Sequence, residues 1–281
     1  MFSSRKSAAP AAGGYTIAKS LRFRSSASAY LNRTPASSGN RTTWTMSIWF
    51  KRGTLSTEQH IFEAASSPAS ANQFYFNTDN TLVYNDNAVN YFTTTQVLRD
   101  PSAWYHMMVV WNTGNATASD RIRLYINGNR VTAFSASNNP SLNATSTFND
   151  NVRNVIGQLN NLGGYYFDGY MAEINFIDGQ ALTPSSFGAT DAATGVWQPI
   201  AYTGTYGTNG FYLKFTDTTS TTTLGNDSSG NNNTWTVNNI SLTSGTTYDS
   251  MTDVPTNTSA TVANYCVLNP LVTPSTTTII N

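Results

Sequence analysis

The sequence predicts an all-β protein, an antiparallel β-sandwich with an extended N-terminal arm and an extended C-terminal segment. Three observations point there. Short runs rich in β-branched and aromatic residues alternate apolar with polar, as in HIFEAA, NQFYFNT and TLVYND. Clusters of Ser, Pro, Asn and Gly break these runs at intervals of roughly 8–12 residues, the spacing of sandwiches and barrels. No segment of useful length carries a 3.6-residue apolar stripe, so helices are not expected.

The elements follow in order. Residues 1–14, ending in SAAPAAGG, read as a flexible arm without periodicity. From Tyr15 the text becomes strand-like, with Leu21 and Phe23, then Tyr30 and Leu31, as apolar positions. WTMSIWFKRG places Trp44, Met46, Ile48 and Phe50 on one face by period two, and Lys51-Arg52-Gly53 closes the strand. Residues Trp104–Val131 hold the runs MMVVW and IRLYI, and the second ends in Asn127-Gly128, a strong hairpin-turn signal. NVRNVIGQLN and YYFDGYMAEINFID follow as strands. GQALTPSSFGAT is expected to hold one short helical turn, capped by Thr183 with Pro184 at the first position. FYLKF reads as a further strand, and residues 218–281 become rich in Thr, Asn, Gly and Ser. The expected division is therefore arm 1–14, sandwich 15–217, and an extension 218–281 that completes the sandwich and links to assembly partners. No fixed-period repeat argues for a propeller or solenoid.

Composition narrows the function. Charged residues are 11% of 281 and the formal net charge is zero, so no basic face exists to hold nucleic acid. No stretch approaches the roughly 18 consecutive apolar residues of a membrane span. Cys266 is the one cysteine, which excludes an intrachain disulfide and reads as a small buried hydrophobe. The basic pair in MFSSRKSAAP has no apolar stretch behind it, so no secretory signal is expected. An adhesive β-composition without export signal or disulfides fits a virion protein, made in the cytosol and released by lysis.

Two blocks resemble the laminin-G-like (concanavalin A-type) jelly rolls. One is the WYHMMVVW/LYINGNRV hairpin. The other is GGYYFDGYMAEINFIDGQALTPSSF, where Phe167, Gly169, Met171, Glu173, Ile174, Phe176, Leu182 and Thr183 match the family's closing segment. The resemblance covers roughly residues 20–190 and implies a concanavalin A-like jelly roll, a fold that binds more often than it reacts. DSSGNNNTW, DVPTN and NYCVLNP, with the opening RTPASSGNRTTWTMSIWFKRG, are similar to segments of tail-fibre and appendage proteins of marine and cyanobacterial phages. There the NP segment often leads into a further domain.

Chemistry was sought in four patterns. Glu173-Ile-Asn175-Phe-Ile-Asp178 resembles the catalytic strand of laminarinase-type glucanases, which need paired carboxylates. Here Asn175 takes the helper position and Asp178 is the shorter acid, so no catalytic residue is assigned. His60 and His106 lack neighbouring Cys, Asp or Glu in metal-ligand spacing, so zinc is not expected. Calcium is the one cofactor candidate, at Asp120, Asp150, Asp168 or Asp227, against the alternative of ordinary Asx-turns. Carbohydrate stacking would use Tyr165, Tyr166, Tyr202, Tyr206 and Trp235, which sit among Gly and Asn. The expected function is a bacteriophage virion structural protein, a tail-fibre or appendage component that displays a lectin-like sandwich to host-surface glycans. Its partners would be other virion proteins and copies of itself, as a homo-oligomer and by analogy with fibres a trimer. The alternatives are a capsid decoration or head-fibre protein, a free glycan-binding module, and a glycanase.

Overall fold

A computed structural model describes residues 14–67, 70–86, 89–159, 163–259 and 261–264. Residues 1–13 of the arm, Cys266 and the NYCVLNP segment beyond Asn264 lie outside the described residues. The chain forms two large antiparallel sheets packed face to face, the jelly-roll sandwich of the concanavalin A-like fold. One sheet runs, in spatial order, Asn129–Arg130, Ile122–Ile126, Tyr105–Asn112, Thr43–Arg52, Gly169–Asp178, Ser20–Phe23 and Ser250–Met251, with Phe211–Leu213 also pairing Gly169–Asp178. The other runs Phe134–Ser137, Val89–Val97, Thr81–Asp86, Ser70–Phe76, Gln59–Ser67, Arg153–Ile156, Tyr30–Arg33 and Thr236–Asn238. Among the described residues helix is limited to 3-10 turns, one of them Pro184–Ser186 behind Thr183.

The period-two pattern decides which side chains fill the space between the sheets. Trp44, Met46, Ile48 and Phe50 all enter the main core, opposite Trp111, Val109 and Met107 of the adjacent strand. Trp44 stacks on Trp111 with centroids 6.1 Å apart and meets Phe148 edge-on at 5.4 Å. The WYHMMVVW and LYI strands pair through the 113–121 loop, and Asn127-Gly128 instead turns Ile122–Ile126 back onto Asn129–Arg130. Asn127 and Gly128 both have positive φ, 48° and 78°, the geometry of a two-residue turn that suits twisted strands. Residues beyond 217 contribute Thr236–Asn238 to the edge of one sheet and Ser250–Met251 to the edge of the other. Asp249, fully buried, receives Arg22 at 3.0 Å and Arg24 at 2.8 Å, which ties that segment to the sandwich.

Strand Gly169–Asp178 holds an irregularity in the first sheet. Its pairing with Thr43–Arg52 slips between Ala172 and Asn175, and Glu173 sits at φ 49°. The slip is a β-bulge. It lets Met171 and Ile174, three residues apart, both reach the core, with Phe176 following at the normal spacing of two. At the start of the strand Gly169 adopts φ 149°, and a Cβ there would run into the Lys51 carbonyl oxygen. Gly169→Ala should therefore cost about 1–3 kcal/mol of backbone strain alone, read as a lowered urea midpoint. An unchanged midpoint would mean the strand can enter by another path.

Candidate functional site

The outer faces of the two sheets are built differently. The first sheet is roofed on its outer face by two further apolar clusters. One joins Met108, Val110 and Ile177 to Phe187, Tyr206 and Tyr212. The other joins Trp49, Trp104 and Ala172 to Ile17 and Val254. The second sheet's outer face carries a polar and aromatic row in which Asn85, Gln73 and Asn32 are half-buried, while Glu63 and Val155 are covered. Asn85 lies opposite Gln73, Gln73 opposite Glu63, Glu63 opposite Val155, and Val155 opposite Asn32. Five strands at the usual spacing make this row roughly 19 Å wide.

Aromatic rings border the row. His60 stacks on Tyr75 with centroids 4.9 Å apart and rings within 9° of parallel. Tyr165 leans on the same imidazole at 5.9 Å, and its carbonyl accepts the His60 backbone N–H at 2.9 Å. Farther along, Tyr30 faces Tyr166 at 6.5 Å, and the Arg153 guanidinium lies 5.6 Å from the Tyr30 ring. Two side-chain amides donate to tyrosine hydroxyls, Asn85 to Tyr75 at 3.1 Å and Gln158 to Tyr166 at 3.0 Å. Each leaves its buried amide oxygen without a donor among the described residues. Half-buried rings beside oriented amides are what a sugar needs, since its C–H face stacks and its hydroxyls hydrogen-bond.

Electrostatics concentrate on His60. Its Nε2 lies 3.1 Å from Glu58 Oε1 and its Nδ1 3.4 Å from Glu63 Oε2. Burial alone would lower its pKa, but the hydrogen bonds and charges of the two carboxylates outweigh it and the net shift is upward. Burial, opposed by the Asn85 hydrogen bond and helped by the Glu58 charge, pushes the Tyr75 hydroxyl up.

The aromatic residues singled out from sequence divide. Tyr165, 50% exposed, and the half-buried Tyr166 stand on this face. Tyr202 and Tyr206 lie on the opposite side of the molecule, edge-to-face at 5.1 Å in the roof of the first sheet. Trp235 is 2% exposed and packs between Phe62 and Phe211 in the main core. Its Gly- and Asn-rich flanks suggested a loop, but they fold down onto the sandwich. Tyr75, Asn85 and Gln158 carry no motif of their own, and His60 figures in the sequence only as a rejected zinc ligand, although Glu58 and Glu63 flank it. Alternation in NQFYF puts Tyr75 opposite Phe74, but a bulge between His60 and Phe62 sends both Ile61 and Phe62 into the core, which alternation does not predict.

The four aspartates do not gather. Asp120 pairs with Arg130 at 2.7 Å, and Asp150 with Arg41 at 3.0 Å. Asp168 accepts from the Ser25 N–H at 3.1 Å and from the Thr54 hydroxyl. Asp227 accepts backbone N–H groups of Tyr212, Ser229 and Asn233, each at 2.8 Å, and the Ser229 hydroxyl. Donors already surround each carboxylate, and no three His, Cys, Asp or Glu side chains converge as a metal site among the described residues.

The glucanase-like strand is equally engaged. Glu173 Oε2 accepts from the Tyr15 hydroxyl at 2.6 Å and from Tyr212. Burial, against those two hydrogen bonds, raises the Glu173 pKa. Asn175 Oδ1 accepts from Tyr206 at 2.8 Å, and Asp178 accepts the Asn40 N–H at 2.8 Å and the Asn209 N–H at 3.0 Å.

A family model described as the concanavalin A-like lectin/glucanases superfamily matches residues 25–187, more than half of the chain. No curated protein matches. Among solved structures, the chain is similar to a SAP-like pentraxin of Limulus polyphemus at 19% identity and TM-score 0.44, covering 60% of this chain and 80% of that one. It is similar to domain 4 of an arabinanase of Geobacillus stearothermophilus, solved with arabinotriose, at 20% identity and TM-score 0.37, covering 52% and 65%. Mouse laminin α1 domains LG4-5 align at 16% identity and TM-score 0.41, covering 60% and 42%.

Proposed function

Because the chain belongs to the concanavalin A-like lectin/glucanases superfamily, we propose that it is a non-catalytic glycan-binding protein whose ligand lies across the outer face of the second sheet. The carrying observation is the set of partly exposed amides Asn85, Gln73 and Asn32 on one sheet face, bordered by the rings of Tyr75, Tyr165, Tyr166 and Tyr30. Single sites of this kind bind weakly, and display in many copies raises their effect through local concentration.

The setting we propose is a bacteriophage virion, as a tail-fibre or appendage component, with a capsid decoration role as the second reading. The DSSGNNNTW and DVPTN segments support it by their resemblance to such proteins. Placement of the chain's described extremities also suits display. Ile17 and Thr256 hydrogen-bond at 3.0 Å on the roofed sheet, so a link made through either segment leaves the glycan face pointing away.

Two measurements test this. Polysaccharides isolated from surfaces of candidate host bacteria should bind the immobilised protein, and Tyr75→Ala or Tyr165→Ala should weaken binding about fivefold, the loss of a stacking contact worth about 1 kcal/mol. The same incubations should release no reducing sugar, as fits Glu173 held beneath Tyr15 and Tyr212. Unchanged binding in both variants would remove the site from this face, and sugar release abolished by Glu173→Gln would make the protein a glycanase. Gold-labelled antibody on intact phage particles, viewed by electron microscopy, should mark tail appendages; unlabelled particles would sink the virion setting.

A further inference from the structure

We infer that Glu58, His60 and Glu63 form a proton-dependent clasp that seats Tyr165 on the glycan face, so that binding there weakens as pH rises; the binding half rests on the function proposed above. The geometry carries it. Both imidazole nitrogens face carboxylate oxygens: Nε2 hydrogen-bonds Glu58 at 3.1 Å, and Nδ1 lies 3.4 Å from Glu63 as a charge contact outside hydrogen-bond geometry. A neutral imidazole has a single N–H, so one carboxylate would then confront a lone pair. Only the doubly protonated ring presents an N–H to each. The groups facing it are Glu58 and Glu63 from its own stretch of chain, the Tyr75 ring from the neighbouring strand, and the Tyr165 ring from the segment beyond Gly164.

Tyr165 is the movable part. It is 50% exposed and held at φ 47°, a left-handed conformation that costs a non-glycine residue free energy. Its holds include the His60 ring at 5.9 Å and the hydrogen bond from the His60 N–H to its carbonyl at 2.9 Å. Loss of the imidazolium proton removes the positive charge between Glu58 and Glu63, which weakens the Nε2–Glu58 bond and lets Glu58, whose side chain is 32% exposed, turn to water. The ring then loses its fixed seat, and Tyr165 can relax away from the face. The proton is taken up again from solvent, and no other bond changes.

The direction of the titration agrees. The contacts and charges of the two carboxylates outweigh burial and hold the His60 pKa above its ordinary 6.5, so the clasp is closed at and below that pH and opens only as pH rises beyond it.

The test uses the full chain without ligand first. The His60 ring carbon signal should titrate above 6.5 by nuclear magnetic resonance, and the His60 backbone amide, corrected for intrinsic exchange, should lose about tenfold protection across the same range. Glu58→Gln should lower that midpoint. His60→Gln should leave protection flat with pH. Host-surface polysaccharide should then bind about tenfold more weakly above the midpoint than below it, and equally at both in His60→Gln. A His60 midpoint at or below the ordinary value, or constant amide protection, overturns the clasp. Binding that ignores pH overturns its coupling to the site, as does protection that switches with no polysaccharide binding at any pH, which also overturns the glycan function.

Discussion

Asp253→Ala is expected to destabilise the fold by about 3–5 kcal/mol, the range for removing one partner of a buried ion pair. Lys51 Nζ donates to Asp253 Oδ2 at 2.8 Å, and the two side chains are 0% and 4% exposed. Lys51 also donates to Asn264 at 3.0 Å, and the Trp104 indole N–H donates to the other Asp253 oxygen at 2.9 Å. The substitution therefore takes the carboxylate from a buried ammonium and the acceptor from a buried indole together. In a chain this long the melting temperature should fall by roughly 10 °C. The pair Lys51→Met with Asp253→Leu should recover much of that loss, because desolvation largely cancels the attraction in such pairs. A single-variant loss under about 1 kcal/mol would place the pair in the solvated class. The pair pins the segment after Met251 to the roofed sheet, so the same variant should expose Val254 and Ile17 to labelling before the core melts.

Local sequence decided the sandwich but not the site. Trp44, Met46, Ile48 and Phe50 could be placed in a core because period two is a property of one strand. Asn127-Gly128 fixed a turn because two residues set its backbone. The Val89–Val97 strand was missed: only Phe92 and Thr94 within it are buried, so its alternation is faint. The bulge at Glu173 was legible only in hindsight, as the spacing of three between Met171 and Ile174. The glycan face is a different kind of object. Asn85, Gln73, Glu63 and Asn32 come from four strands, and their alignment depends on register between strands, which no single run encodes. Tyr206 and Trp235 failed as surface candidates for a related reason. Flanking Gly and Asn report a turn, while burial depends on what that turn lies against.

His106 should make the protein progressively less stable as pH falls from about 6.5 toward about 3. The residue is wholly buried on the roofed sheet, and burial pushes its pKa down to about 3 from an ordinary 6.5. The Trp197 indole N–H donates to Nδ1 at 3.0 Å, so the ring's own proton sits on Nε2 and points to the Ser47 hydroxyl at 2.8 Å. Trp49 stacks on it at 4.9 Å. Nothing in this cage would accept a second proton's charge. The unfolded chain takes up that proton below 6.5 and the folded one only near 3, so the contribution is intact above 6.5 and lost between those limits. Its slope is about 1.4 kcal/mol per pH unit, on the order of 4 kcal/mol in all. Wild-type stability alone would conceal it. Asp86, 4% exposed, is pushed by burial up to about 7 against an opposing Arg41. That shift has the opposite sign, favouring the fold at low pH and fading as pH rises through about 7. Glu173 and His60, both raised, act in the same sense as Asp86. The informative quantity is the difference in unfolding free energy between wild type and His106→Gln, followed from pH 7 to 3 by urea titration. It should fall steadily with acid, whereas two parallel curves would mean that His106 titrates in the fold as it does in water.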